Sequence, residues 1–452
     1  MQLSFFGATQ TVTGSRYLLD CGNTRVLVDC GLFQGYKHLR LKNWARLPFD
    51  PASVDAVLLT HAHLDHSGYL PLLIHNGFRG PVYATAATAE LCRILLPDSG
   101  RLQEEQAAFA NRHGFSKHSP ALPLYTEQHA EECLKQFRPA SLSKPLEIAA
   151  GVRAHFSSAG HLLGATSIRV EHGGTSVLFS GDIGRPNDPL IRAPESPPAS
   201  DYVVIESTYG DRTHASDDPQ AELLEVLRRT FARGGVVVIP TFAVGRAQLL
   251  LVLVARLKAS GAIPDVPVYL DSPMAIDATG LFTQFASEHR LSTVDAMALT
   301  GVAALVRTAD QSKSLDRIRE PAIILAASGM ATGGRVVHHL KTFAPDARNT
   351  ILFAGYQAGG TRGAAMLRGV GQVRIHGESV PVRAEVAQLG CASGHADAGE
   401  LIAWLRSMKK PPKHVFVTHG EINASDTLRQ RIQAELGWPA SVPEFQGEAQ
   451  LT

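Results

Sequence analysis

The chain has 452 residues, with 43 Lys and Arg against 42 Asp and Glu, a formal net charge of +1 and 44% hydrophobic residues. That length supplies material for two or three domain cores. The balanced charge supports neither bulk attraction to nucleic acid nor bulk repulsion from it, so an anionic substrate needs local patches, and no apolar run approaches a membrane span. Five cysteines without a Cys-x-x-Cys pair read as reduced thiols of a cytoplasmic protein, with Cys21 and Cys30 around a hairpin as packing residues.

In chain order, Leu3–Gly7 reads as a first strand and lacks the basic start and long apolar stretch of a signal peptide. Strands are predicted at Arg16–Asp20, Arg25–Asp29, Val54–Thr60, Pro81–Ala84, Ser167–Glu171, Thr175–Ser180 and Tyr202–Glu206, and helical spacing over 67–75, 85–96, 100–112 and 127–137. Between them, Tyr36–Arg46 carries Lys37, Arg40, Lys42 and Arg46 with no acid, interleaved with Tyr36 and Trp44. It reads equally as a stretch that tracks a phosphate backbone or as a solvated loop. Arg101, Arg112, His113, Lys117 and His118 extend the same wall, against which Glu104 and Glu105 weigh. From 210 a polar, turn-rich stretch leads into four strand-then-helix units, beginning at Val236–Thr241, Val268–Asp271, Ala322–Ala326 and Thr350–Ala354. Repeated units of this kind imply a parallel sheet covered on both faces.

Directly after the run Val54–Thr60 stands His61-Ala62-His63-Leu64-Asp65-His66. Alternate side chains of an extended segment share a face, so His61 and His63 address one ion while a turn into 67–75 swings Asp65 and His66 toward a second. Imidazole and carboxylate without thiolate favour zinc in an open, water-bearing site. His161 in a Gly-flanked loop, Asp182 after a strand and His419 after Val415–Thr418 each read alone as loop or turn residues. Together they complete two sets: His61, His63 and His161 for one ion, Asp65, His66 and His419 for the other, with Asp182 as bridge. Asp29 is either an outer carboxylate that orients a ligand or a plain turn residue.

Asp29, His61-x-His63-x-Asp65-His66, His161, Asp182 and His419, in this order, resemble the motif series of the metallo-β-lactamase fold. Glu206 in Val204–Thr208, His395 in Ser393–Asp397 and His419 in Val417–Gly420 look like three further motifs of its β-CASP branch of nucleases, which includes ribonuclease J and the endonuclease of messenger-RNA 3′-end processing. The resemblance covers essentially the whole chain. It implies an α/β fold: a four-layer αββα metallo-β-lactamase sandwich at 1–208 and 394–452, with a β-CASP domain, a parallel sheet flanked by helices, inserted at 209–393. The loops holding Ser328 and Gly329, and Gly359 and Thr361, are similar to substrate-facing loops of that insert. As Gly-bearing turns into helices they offer backbone N–H groups to phosphate, or are tight turns and no more. Arg246 opens a helix and either reaches a phosphate or forms a structural ion pair. Within the family, histidine at the last motif goes with RNA-directed members, so His419 points to RNA.

The expectation is a zinc-dependent ribonuclease with two Zn2+ per subunit, whose activated hydroxide attacks phosphorus while the metals stabilise the developing charge. Asp65 and Asp182 serve catalysis through the metals. His395, favoured in its cationic form by Glu206, protonates the leaving oxygen. Lys37, Arg40, Arg246, Ser328, Gly329, Gly359 and Thr361 are the expected substrate contacts. Single-stranded RNA is the partner, with no membrane, and a homodimer is allowed. Cleavage is expected to be endonucleolytic, with 5′-3′ exonuclease activity as a second mode. The alternatives are a hydrolase of a small ester or thioester, a DNA nuclease of the same branch, and an RNA-binding protein with a decayed site.

Overall fold

The chain is described from a computed structural model that covers all residues except 115, 143, 150, 215–217 and 391–392. By its contacts it divides into two units: Met1–Asp188, Arg192–Thr213 and His395–Thr452 form the first, Pro189–Ile191 and His214–Gly394 the second.

In the first unit, the strands Gln2–Phe5, Tyr17–Asp20 and Arg25–Val28 form an antiparallel meander in which Gln2 faces Asp20 and Tyr17 faces Val28. Ala56–Leu58, Val82–Ala84 and Phe137–Pro139 continue that sheet in parallel, and Glu448–Gln450 closes its other edge. A second seven-stranded sheet runs from Leu146–Ala149 through Val152–Ser158, Thr166–His172, Thr175–Phe179, Tyr202–Ile205 and His414–Val417 to Ala440–Ser441. The inward faces meet in one core that includes Leu3, Phe5, Tyr17, Val26, Phe156, Ile168, Phe179, Val204 and Phe416. Burying each such side chain fully contributes roughly 1.5–3 kcal/mol. With helices outside both sheets, this is the αββα sandwich of the metallo-β-lactamase fold.

Asp29 and Glu206 directly follow strands, His61, Asp182 and His419 come two or three residues after strands, and the strands before Asp182, Glu206 and His419 run parallel to one another. Their side chains therefore gather at one carboxyl edge, where open α/β sheets present ligand sites.

Some predicted spans change. The helix expected at 67–75 is two short helices, Leu64–Ser67 and Leu70–His75. The helices expected at 85–96 and 100–112 are one, Ala86–His113, continuous through Pro97. Proline normally interrupts a helix, but here the turn beyond it packs against the next helix. A Cβ on Gly100 would stand 2.6 Å from the backbone nitrogen of Glu127, so that approach requires glycine. The helix expected at 127–137 ends at Leu134, and Phe137 begins an edge strand. The described cysteines Cys21, Cys30, Cys92 and Cys133 are buried free thiols.

The second unit holds a six-stranded, all-parallel sheet in the order Ala304–Leu305, Val268–Asp271, Ala322–Ala326, Val236–Pro240, Thr350–Phe353, Glu385–Gln388, plus a hairpin of Gln372–Ile375 and Glu378–Pro381. The strand centres are continuous apolar runs, as burial on both faces demands. This is the inserted β-CASP architecture. Among the described residues no helix is long and apolar enough to cross a membrane.

Candidate metal centre

The seven residues singled out as ligands come together in the first unit. His61, His63, His161 and Asp182 form one group whose donor atoms all lie within 4.8 Å of one another, and Asp65, His66 and His419 form another. In the first group, His61 Nε2 and His161 Nε2 each stand 3.2 Å from His63 Nδ1. In the second, His66 Nε2 lies 3.1 Å from His419 Nε2, and Asp65 lies 3.5 Å from the same nitrogen. Asp182 stands between them. Its Oδ2 is 3.4 Å from His61 and 3.7 Å from His161, while Oδ1 is 3.3 Å from His66 and 3.5 Å from His419.

This arrangement fits metal ions. The buried Oδ1 of Asp182 accepts no hydrogen bond among the described residues, and such an oxygen is costly without a counter-charge. Neutral imidazoles converging nitrogen to nitrogen repel through their lone pairs unless a cation or proton lies between them. The donor set is nitrogen and oxygen without thiolate, which suits zinc.

The local sequence explains the placement. A Cβ on Gly31 would sit 1.6 Å from the Asp65 carbonyl oxygen, so only glycine lets the segment after Asp29 press against the ligand loop. Cys30 and Leu32 then donate their amides to the carbonyls of His66 and Leu64. Asp29 and His419 both have left-handed backbone, with φ of 59° and 49°. Such conformations cost about 1–3 kcal/mol in non-glycine residues and persist only when their surroundings enforce them. For Asp29 the enforcement is visible: its carboxylate accepts hydrogen bonds from the Thr60 amide and hydroxyl, each at 2.8 Å, and from His66 Nδ1 at 2.7 Å.

Burial holds His61 down at about 3 and His63 at about 4, each helped by charged histidine neighbours, and it holds His161 well below its usual range. These rings are neutral near pH 7, the state in which imidazole binds metal. His66 behaves oppositely. Burial opposes its charge, but Asp182 and Asp29 raise it well above the ordinary histidine value. Asp182 and Asp65 are pulled below the usual carboxylate range against the effect of burial, Asp182 by His419 and His66, Asp65 by His419 first.

Beside the first group, His395 Nδ1 is 3.1 Å from Glu206 Oε2 and 3.9 Å from Asp182 Oδ2. Burial disfavours a charged ring here, yet Glu206 and Asp182 raise His395 to about 9. Glu206 is fixed in turn by the Ile183 amide at 2.6 Å.

Comparison with known proteins agrees with this geometry. Residues 12–233 match the metallo-beta-lactamase superfamily, 247–366 the Beta-Casp domain, and 379–443 the Zn-dependent metallo-hydrolase RNA specificity domain. Ribonuclease TTHA0252 of Thermus thermophilus is 41% identical over 93% of this chain and 93% of its own length. The chain belongs to the β-CASP family of metallo-β-lactamase-fold hydrolases, and it is a metal-dependent hydrolase. Transcription termination factor FttA of Methanocaldococcus jannaschii is 32% identical over 98% of this chain and 71% of its own, and that of Methanosarcina mazei 31% over 96% and 69%. A solved structure titled as a protein of unknown function from Enterococcus faecalis shares the fold, with a TM-score of 0.54 at 12% identity, over 100% of this chain and 99% of that one.

The other expected contacts of this β-CASP hydrolase are described within their own units. Lys37 and Arg40 are exposed on the first unit. Arg101 is engaged by Asp98 and Glu105 of its own helix. Arg246, Ser328, Gly329, Gly359 and Thr361 lie in the second unit. There Arg246 is buried at the first turn of its helix. The Thr361 hydroxyl accepts from the Ala364 amide and donates to Ala358, as an N-cap does. The Gly329 carbonyl accepts from Gln357.

Sequence reasoning missed three supporting residues. Thr60 links Asp29 to the His61 ring, 3.1 Å from its Nδ1. Thr208 stands 3.2 Å from His419 Nδ1. Buried Arg16 donates twice to the Gly31 carbonyl and stacks over Tyr69 at 3.9 Å. For the two threonines the signal was closeness in sequence, since Thr60 directly precedes His61 and Thr208 stands two positions after Glu206.

Proposed function

We propose that this chain is a zinc-dependent ribonuclease that hydrolyses RNA phosphodiester bonds, cutting internally and, with a 5′ end in place, in the 5′-to-3′ direction. Its catalytic module comprises residues 1–208 and 394–452, with 209–393 inserted. The carrying observation is the carboxylate of Asp182, which turns one oxygen toward each histidine group. His61, His63 and His161 would hold one zinc ion, Asp65, His66 and His419 a second, and Asp182 both. When bound, the metal pair supplies Lewis acidity and a water nucleophile at neutral pH.

The chain's own residues do the rest. Asp29 and Thr60 orient His66 and His61. Hydrolysis adds one water across the P–O3′ bond: its oxygen goes to phosphorus and a proton goes to the leaving 3′ oxygen. His395 stands at the edge of the cluster with Nδ1 on Glu206, which leaves Nε2 as the nitrogen to donate that proton and regain one from solvent. RNA as substrate is supported by the ribonuclease and termination-factor relatives and by histidine at position 419.

The test incubates purified protein with end-labelled single-stranded RNA, single-stranded DNA and a small thioester, with and without chelator. Chelator-sensitive cleavage of RNA alone is expected. Thioester turnover without RNA cleavage would assign the small-substrate hydrolase instead, and cleavage of DNA in preference to RNA would assign a DNA nuclease.

A further inference from the structure

The helix Lys37–Leu41 buries none of its residues. Around it Tyr36, Leu41 and Trp44 are 48%, 56% and 59% exposed, while Lys37, His38, Arg40 and Arg46 share the surface. A helix this short is unstable by itself and is ordinarily held by an apolar face against a core. This one is held otherwise. Buried Asn43 donates to the Phe33 carbonyl at 2.8 Å and accepts from its amide at 2.9 Å, and the Lys42 ammonium sits 3.7 Å above the Phe445 ring. The loop is thus pinned with its large aromatic groups facing out. Tyr36 and His38 stack in parallel, ring centres 5.6 Å apart. Among the described residues Lys37, Arg40 and Arg46 have no carboxylate partner.

Unpaired cations interleaved with outward aromatic rings match the two chemistries of single-stranded nucleic acid, a phosphate backbone and base faces. An acidic peptide would use the cations and leave the rings idle. We propose that Tyr36–Arg46 is a docking platform for single-stranded RNA, mounted on the metal-ligand loop; this rests on the ribonuclease reading. The mounting is direct. The Leu32 amide bonds the Leu64 carbonyl at 2.8 Å, next to His63 and Asp65. Tyr36 stands four positions after Leu32, a reach of at most about 14 Å. A strand lying on the platform is thereby held beside the catalytic loop.

The test measures the affinity of the whole metal-loaded protein, in a His395→Ala background that slows cleavage while keeping the metal, for a short fluorescein-labelled oligouridylate. Tyr36→Ala and Trp44→Ala should each weaken binding about tenfold, the loss of one stacked base. The double variant Lys37→Gln/Arg40→Gln should lower the slope of log Kd against log salt by about 1.4, the counterions of two phosphates on a single strand. Oligouridylate should also quench a tryptophan signal that Trp44→Phe abolishes. Because the helix buries nothing, these variants keep the wild-type melting temperature, which is checked in parallel. Wild-type affinity and salt slope in the variants would overturn the proposal, as would a wild type that binds polyglutamate but not oligouridylate. Chelator-sensitive cleavage of RNA by the wild type reads the ribonuclease assignment separately, so either can fail while the other stands.

Discussion

The Asp29 carboxylate lies 2.7 Å from His66 Nδ1, and since a carboxylate can only accept, it fixes that nitrogen as the donor and leaves Nε2 for the cluster. Asp29→Asn keeps the shape and removes the charge. Metal affinity should fall about 10–100-fold, as for other partners that orient a metal-binding histidine. Competition with a chromogenic chelator measures it, and an unchanged affinity would reduce Asp29 to a turn residue.

Metal content follows from the two donor groups. The purified chain should retain about two zinc ions, since seven donor residues exceed what one tetrahedral ion uses. Asp182→Ala should lose metal and abolish cleavage, because both groups lean on that carboxylate. Chelation should lower the melting temperature of the first unit, with metal at a thousand times its Kd contributing about 4.1 kcal/mol. A single zinc equivalent that added zinc does not change would remove the bridging role.

The candidate cluster was legible in the sequence because His61, His161, Asp182 and His419 each come two or three residues after a strand, with Asp65 and His66 on the short helix that follows His63. Asp29 was undecided between support and turn, because only the fold shows its three donors. The joined helix Ala86–His113 was hidden by Pro97, whose local preference is overridden by packing at Gly100. The edge strands Leu146–Ala149 and Glu448–Gln450 were not predicted: each is short, and the second pairs across nearly the whole chain length with Gln2–Ser4. Arg16 gave no signal, since its partner is a backbone carbonyl.

A second buried network gives a stability prediction. Asp271 accepts from His339, Arg335 and Ser312, and His339 Nδ1 faces Asp316 at 2.9 Å. Burial opposes a charged His339, but Asp271 and Asp316 raise it above 6.5. Its contribution is therefore complete below 6.5 and fades as pH rises through the folded value. Asp271 lies below 3.8 despite burial, held there by His339, Ser312 and Arg335, so its contribution is complete above 3.8 and fades as pH falls through its folded value. The network stabilises most between 3.8 and 6.5. Removing one member of a buried pair costs about 3–5 kcal/mol. Denaturation of wild type and His339→Gln across pH should show the gap widest in that window and narrower above it. A pH-independent gap would mean that His339 is neutral in the fold.

The role of His395 should separate from metal binding. His395→Ala is expected to keep zinc and RNA affinity while losing about 10²–10⁴ in rate, the range for a positioned general acid. An RNA analogue with sulfur as the leaving atom needs little protonation and should recover much of the loss. Glu206→Gln should act in the same direction, because it removes the charge beside Nδ1. Loss of zinc from His395→Ala, or no recovery with sulfur, would refute the assignment.

Product ends distinguish this chemistry from attack by the ribose itself. Water oxygen arriving opposite the 3′ oxygen yields a 5′ phosphate and a 3′ hydroxyl, whereas 2′ oxygen attack leaves a 2′,3′-cyclic phosphate and a 5′ hydroxyl. Attack by the 2′ oxygen needs a base beside the ribose and an acid on the leaving 5′ oxygen. The cluster instead gathers metal donors, with His395 as the one acid assigned to the leaving group. Replacement of the scissile 2′ hydroxyl by 2′-O-methyl should therefore leave cleavage in place, apart from any contribution of that hydroxyl to recognition. Mass spectrometry of the fragments decides between the two. A cyclic phosphate in a chelator-sensitive digest would overturn the mechanism while leaving the fold and the ligand set intact.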